Sequence, residues 1–367
     1  MTKFTNDFLS QKAKGLTPYV AGLQPREAGW VKLNTNESPY PPSPKVQEAL
    51  ANVGIERLRL YPDGDSTALR EAIAADLGVS AENVFCGNGS DEVLALAFQA
   101  FYSGKENVLT PDISYGFYPV WGNMFDVGLK RLPLREDFSL DTDSYKGANG
   151  AIIANPNAPT GLALGLLSVE KILNQNPKGV VLVDEAYIDF ADVESAVSLL
   201  AQDSAAKGYE NLLVVRTFSK SHALAGMRVG YAIGHPQLID ALRRVRDAFN
   251  SYPLDMLAQA AAAAAIQDRP YLEQTVKDTI KTRDATATSL KAMGYHVLPS
   301  QTNFILIKTP DAKALYDHLL NHKILARYWG TPRLRNYLRV SIGTNLDMEA
   351  FTQCVQEYTS ARQTKPM

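Results

Sequence analysis

Between about residue 45 and the middle 240s, short apolar runs alternate with stretches whose apolar residues recur every three or four positions. The runs NVLT (107–110), AIIA (151–154), VVLV (180–183) and LLVV (212–215) read as buried strands, as does the start of VFCGNGSDEVLALAFQAF (84–101), which passes through a glycine turn into a helix. Further helices are predicted from 43 to roughly 53, over the segment carrying Leu69, Ile73 and Leu77, capped by Ser66 or Thr67, and over 235–249. This alternation is the βαβ rhythm of an α/β protein with a covered, mostly parallel sheet. Residues 271–294 form one long amphipathic helix ended by Gly294, and the rhythm then changes to a smaller α+β unit. Residues 1–44 hold little periodicity and six prolines (Pro18, Pro25, Pro39, Pro41, Pro42, Pro44), and read as an arm.

At 367 residues the chain exceeds the size at which single cores stop growing. The expected division is an arm at 1–44, a large domain at 45–280 and a small domain at 281–367. A formal net charge of -2, with no basic block interleaved with aromatics, argues against nucleic acid as a partner. No apolar run approaches a membrane span, and the N-terminal segment lacks the apolar core of a signal peptide. Cys86 and Cys354, far apart in apolar settings, make a disulfide framework implausible, and a cytoplasmic protein is expected.

Chemistry enters at the strand ends. Lys220, in RTFSKSHALAGMRVG (216–230), follows LLVV; taken alone, a lysine there is most often a solvated surface group. The run VVLVDEAY, however, delivers Asp184 and Tyr187 at the same kind of edge, where open α/β sheets hold ligands. A lysine, a carboxylate and a phenol there are the parts needed to hold pyridoxal phosphate: an amine for its aldehyde, an acid for its ring nitrogen and a hydroxyl for its ring oxygen. In GNGSDE, Gly87 and Gly89 permit close backbone approach, and Ser90 and Asp91 sit where a helix start offers free amides to an anion. Tyr115 is placed to stack on a flat ring.

SKSHALAGMRVGY together with VVLVDEAY resembles the lysine and aspartate motifs of fold-type I aminotransferases, most closely the histidinol-phosphate aminotransferase family. The resemblance implies a seven-stranded, mostly parallel sheet, pyridoxal phosphate as cofactor, and a phosphate cradle of Gly89, Ser90, Asp91, Ser219 and Arg228. It implies a homodimer in which Tyr61, in the YPD turn, reaches the cofactor phosphate of the other subunit. Tyr19 and Asn36 would line the mouth, and Arg339 and Arg327 would grip substrate anions. Such enzymes usually carry asparagine immediately before the PTG turn to bond the ring oxygen. Ala158 stands there, leaving Asn157 or Tyr187 alone for that contact.

The implied reaction moves an amino group from glutamate to imidazole-acetol phosphate in histidine synthesis. An aromatic aminotransferase or a decarboxylase of O-phospho amino acids would keep nearly the same residues; a regulatory binding module would need a DNA-binding domain for which the arm leaves no room. No metal is expected: His318 and His322, four apart with no cysteine or glutamate motif accompanying them, read as a solvated face, as do the arginines of 235–249. His222 receives no role.

Overall fold

The structure, a computed structural model, describes residues 8–20, 22–200 and 208–363, so residues 1–7 of the expected arm lie outside it. Seven strands, β1 (Val84–Asn88), β2 (Val108–Pro111), β3 (Leu129–Leu132), β4 (Gly150–Ala154), β5 (Val180–Asp184), β6 (Leu212–Thr217) and β7 (Val229–Gly234), form one sheet in the order β1-β7-β6-β5-β4-β2-β3. Only β7 runs against its neighbours β1 and β6; all other pairs are parallel. The apolar runs are continuous because both faces are covered. Val181 and Val183 pack into one apolar cluster and Leu182 into the other, with all three fully buried. Each such side chain contributes about 1.5–3 kcal/mol.

On one face the helix Met256–Ile266 lies against the helices Pro44–Ala51 and Thr67–Leu77. Its alanines at 258, 261, 262 and 265 are buried, and their small side chains permit this close approach. The predicted cap of Thr67–Leu77 is corrected. Ser66 has φ +50 and makes no side-chain cap bond; instead Asp63 accepts the Thr67 N–H at 2.7 Å. The arginines of Pro236–Phe249 are also not all a solvated face. Arg244 is exposed, but Arg246 is buried, donating to the Gly64 carbonyl and to Asp65, both at 3.0 Å. Its partners come from the turn that follows Tyr61, a contact invisible to helical spacing.

The C-terminal part builds a second sheet from β8 (His296–Val297), β9 (Phe304–Lys308), β10 (Arg327–Tyr328) and β11 (Tyr337–Ser341), antiparallel in the order β10-β11-β9-β8. The arm is stitched to it. Val31–Lys32 pairs with Ile324–Leu325, and the Ser341 N–H donates to the Leu33 carbonyl. The long helix Arg269–Ala292 runs from the flank of Met256–Ile266 to this second sheet, ending just before Gly294 at φ +90.

Helices Ala312–Asn321 and Asn345–Gln363 pack together over the small sheet, and here the reading of His318 and His322 is corrected. His318 is half-buried, and the facing helix brings Cys354 beside both histidines, a neighbour 32 positions away in sequence. Cys86 and Cys354 are both buried and unpaired. Among the described residues no helix is long and apolar enough to cross a membrane.

Candidate active site

Strands β5 and β6 end side by side, so Asp184 at the end of one and Lys220 just past the other face a common hollow. Ser90, Asp91, Tyr115, Tyr187, Ser219 and Arg228 line it with them. An outer cleft continues from this hollow between the arm, the large sheet and β10–β11, and Tyr115, Ala158, Tyr187 and Lys220 border both spaces.

Asp184 is 5% exposed, and burial pushes its carboxyl up to about 6. Its hydrogen bonds from the Tyr118 hydroxyl at 2.8 Å and the Ala186 N–H at 3.3 Å pull the other way. No cation pairs with it among the described residues. A carboxylate so placed lacks a positive counter-group, which a protonated ring nitrogen would supply.

At the other end of the hollow, the nine-residue helix Gly89–Ala97 starts with no side-chain cap. Its first amides, the Ser90 and Ser219 hydroxyls and the Arg228 guanidinium converge there as an anion cradle. Arg228 is held by Asp91 at 3.1 Å, and the Tyr115 hydroxyl donates to the same carboxylate at 2.7 Å. Two glycines make the cradle. A Cβ on Gly89, at φ +77, would stand 2.6 Å from the Arg228 guanidinium, and one on Gly230 would stand 2.2 Å from the Ser90 nitrogen. The donors, shape and charge of the hollow thus fit pyridoxal phosphate.

Lys220 Nζ donates to the Thr35 carbonyl at 3.2 Å, and Tyr187 is fixed by Asn36, whose side-chain N–H donates to its hydroxyl at 2.9 Å. Tyr19 stacks on Phe117 with ring centroids 4.3 Å apart and forms one wall of the cleft. Arg327 and Arg339 are directly paired across β10 and β11. Both guanidinium groups lie over Trp329, at 5.6 and 5.3 Å, and their hydrogen bonds go to the backbone carbonyls of Val20 and Asn34. Neither has a carboxylate partner among the described residues, so Arg339 is not held in a structural ion pair there. Burial pulls Arg339 below its ordinary value. Two like charges directly opposite each other destabilise a sheet unless an anion joins them.

Two expected residues are not in the hollow. The Asn157 side chain donates to the Ile113 carbonyl and Thr160 Oγ1 and accepts from Ser114, so its bonding capacity is used in the turn's own scaffold. Ala158 occupies the wall instead, and the expectation that Asn157 substitutes for the usual asparagine is corrected. Tyr61 is 81% exposed, stacked on Tyr252, and lines neither space. His222 is buried on a different surface, beside Asp189 and Arg216. Sequence reasoning passed over Tyr118, whose partner Asp184 is 66 residues away, and Arg333, which pairs with Asp112 at 3.1 Å on the cleft wall.

Comparison with known proteins agrees with this geometry. The family model for aminotransferase class I and II matches residues 28–356. The histidinol-phosphate aminotransferase of Clostridium botulinum strain Langeland is 47% identical over 353 residues, covering 95% of this chain and 98% of that protein. That of Marinomonas sp. strain MWYL1 is also 47% identical, covering 95% and 99%. The crystal structure of histidinol-phosphate aminotransferase from Sinorhizobium meliloti in complex with pyridoxal-5'-phosphate superposes with a TM-score of 0.81 at 25% identity, covering 90% of this chain and 91% of that one. With the lysine, the buried aspartate and the anion cradle set at the sheet edge as described, the chain belongs to the class I and II aminotransferases.

Proposed function

We propose that this protein is a pyridoxal-phosphate-dependent histidinol-phosphate aminotransferase, transferring the amino group of glutamate to imidazole-acetol phosphate in histidine biosynthesis. The observation that carries the substrate reading is the Arg327–Arg339 pair, two cations without carboxylate partners among the described residues, facing the cleft that leads to Lys220. One substrate presents a carboxylate and the other a phosphate, and the planar forks of two adjacent arginines suit both. Close relationship to curated histidinol-phosphate aminotransferases over nearly the whole chain supports the same reading.

Bound in the hollow, pyridoxal phosphate supplies an aldehyde that takes up the amino group and a protonated ring that withdraws electrons from the substrate carbon. The chain's residues do the rest. Asp184 keeps the ring nitrogen protonated, its charge held in a buried setting where it acts strongly. Ser90, Ser219 and Arg228 would hold the cofactor's phosphate, and Tyr115 would offer its ring a stacking partner. Tyr187 would donate to the ring oxygen, since the Ala158 side chain offers no hydrogen bond. The Lys220 amine would hold the cofactor by its aldehyde and would serve as the base that takes the proton from the substrate α-carbon.

We further propose a homodimer with shared sites in the cytoplasm, with an arm at 1–44, a large domain at 45–280 and a small domain at 281–367. Ile55, Leu58, Leu60 and Tyr61 expose large apolar side chains within one short stretch, which supports burial against a second copy. The deciding experiment is a panel of amino donors and keto acceptors assayed on the purified protein. Turnover with glutamate and imidazole-acetol phosphate is expected to exceed that with aromatic keto acids. Carbon dioxide release from an O-phospho amino acid, or no turnover of the imidazole substrate, overturns the reading.

A further inference from the structure

Away from the active site, the helices Ala312–Asn321 and Asn345–Gln363 gather three metal-ligating side chains. His318 and His322 stand one turn apart, Cys354 faces them, and one donor atom from each lies within 4.8 Å of the other two. The state of both rings is set by the backbone. His322 Nδ1 lies 2.8 Å from the His318 carbonyl, and since a carbonyl only accepts, that nitrogen carries the proton and leaves Nε2 with a free lone pair. The His318 ring hydrogen-bonds the backbone of Cys354, while its Nε2 is buried with no partner among the described residues. An imidazole whose outer nitrogen is tied to a carbonyl, with the other left open, has the arrangement of a metal ligand and its supporting shell.

We propose that His318, His322 and Cys354 bind a soft divalent transition ion of the zinc class. Zinc bonds of about 2.3 Å to sulfur and about 2.0–2.1 Å to nitrogen set neighbouring donors of a tetrahedral site roughly 3.3–3.7 Å apart. The donors here lie within 4.8 Å of one another, so side-chain adjustments of up to about 1.5 Å complete the site. The ion displaces the Cys354 thiol proton to solvent, forming a metal–sulfur bond; both imidazoles bind neutral, and water fills the fourth position. The site would tie together the two helices that cover the sheet carrying Arg327 and Arg339.

The test uses the full-length, cofactor-loaded protein, freed of metal by chelator dialysis and titrated with Co2+ alone. The visible d–d bands, beyond the absorption of bound cofactor, report tetrahedral coordination, and Zn2+ is then added to displace the cobalt. One equivalent is expected to bind, and His322→Ala and Cys354→Ser are each expected to weaken binding at least about tenfold. His322 is exposed, so its variant reports on the site even if the buried Cys354→Ser change disturbs folding. Absence of a cobalt spectrum in the parent protein overturns the proposal, as does equal affinity in His322→Ala, or an unchanged spectrum in a folded Cys354→Ser.

Discussion

Asn36 donates a side-chain N–H to the Tyr187 hydroxyl at 2.9 Å, joining the N-terminal arm to a residue just beyond β5. Ser341 holds the amide from the other side, its hydroxyl donating to Asn36 Oδ1 at 2.8 Å while accepting the Asn36 backbone N–H at 2.8 Å. An oxygen that receives one N–H keeps its own proton for another partner, and Tyr187 borders the hollow. Asn36, expected at the mouth on resemblance, lines the outer cleft and bonds Tyr187.

Removing that bond is expected to lower kcat/KM about five- to tenfold, the worth of a neutral hydrogen bond of about 1–1.5 kcal/mol. Asn36 sits at φ +56, so Asn36→Ala adds backbone strain while Asn36→Gly does not. Steady-state kinetics with thermal unfolding separate the two: both variants should lose activity equally, and the alanine should lose more stability than the glycine. Full activity in Asn36→Gly would sink the assignment.

Arg339→Ala should depress kcat/KM for both half-reactions by about 10- to 150-fold, the range of a hydrogen bond to a charged group. Arg327→Ala should weigh more heavily on the phosphorylated substrate than on glutamate, because Arg327 stands at the edge strand of the pair. Half-reaction rates measured separately with each substrate decide this. Equal losses for both substrates in Arg327→Ala would contradict the division of labour.

Much of this was legible in the chain because local chemistry announces it. Gly89 and Ser90 at a helix start, and Asp184 after four consecutive apolar residues, are positions where spacing alone fixes the environment. What escaped was set by pairs distant in sequence. Asn157 looked free to replace the missing asparagine, yet Ser114, Ile113 and Thr160 claim its side chain. Arg246 looked solvated, yet a turn 181 residues away supplies its partners. Cys354 joins the two histidines only through helix packing.

The buried Asp184 carboxyl gives a pH test that needs no turnover. Its pKa is raised from 3.8 to about 6 by burial, so the folded protein without cofactor holds the proton more tightly than the unfolded chain. The stabilisation from that proton is complete below 3.8 and is lost as pH rises through about 6, a change of about 3 kcal/mol at 1.36 kcal/mol per unit. Asp184→Asn keeps an acceptor for Tyr118 but carries no charge. In cofactor-free protein it should therefore unfold at a higher temperature than the parent at pH 8, with the difference shrinking towards pH 4. Calorimetry at the two pH values checks this, and a parent more stable than the variant at pH 8 would refute it.

Tyr61 supplies the test of shared sites. It lines neither space of its own chain and stands exposed on Tyr252 beside an apolar stretch, so any contact it makes with a cofactor phosphate belongs to another subunit's hollow. Tyr61→Ala should weaken cofactor binding about tenfold or more, the loss of a hydrogen bond to a charged group. Lys220→Ala should be inactive. In a mixed dimer of the two variants, one site takes Lys220 from one chain and Tyr61 from the other and is intact, while the second lacks both. With equal amounts and free exchange, half the dimers are mixed and each has one working site, so about one quarter of the parent activity should return. Activity no higher than that of the Tyr61→Ala protein alone, under conditions where labelled subunits exchange, would show that each chain completes its own site.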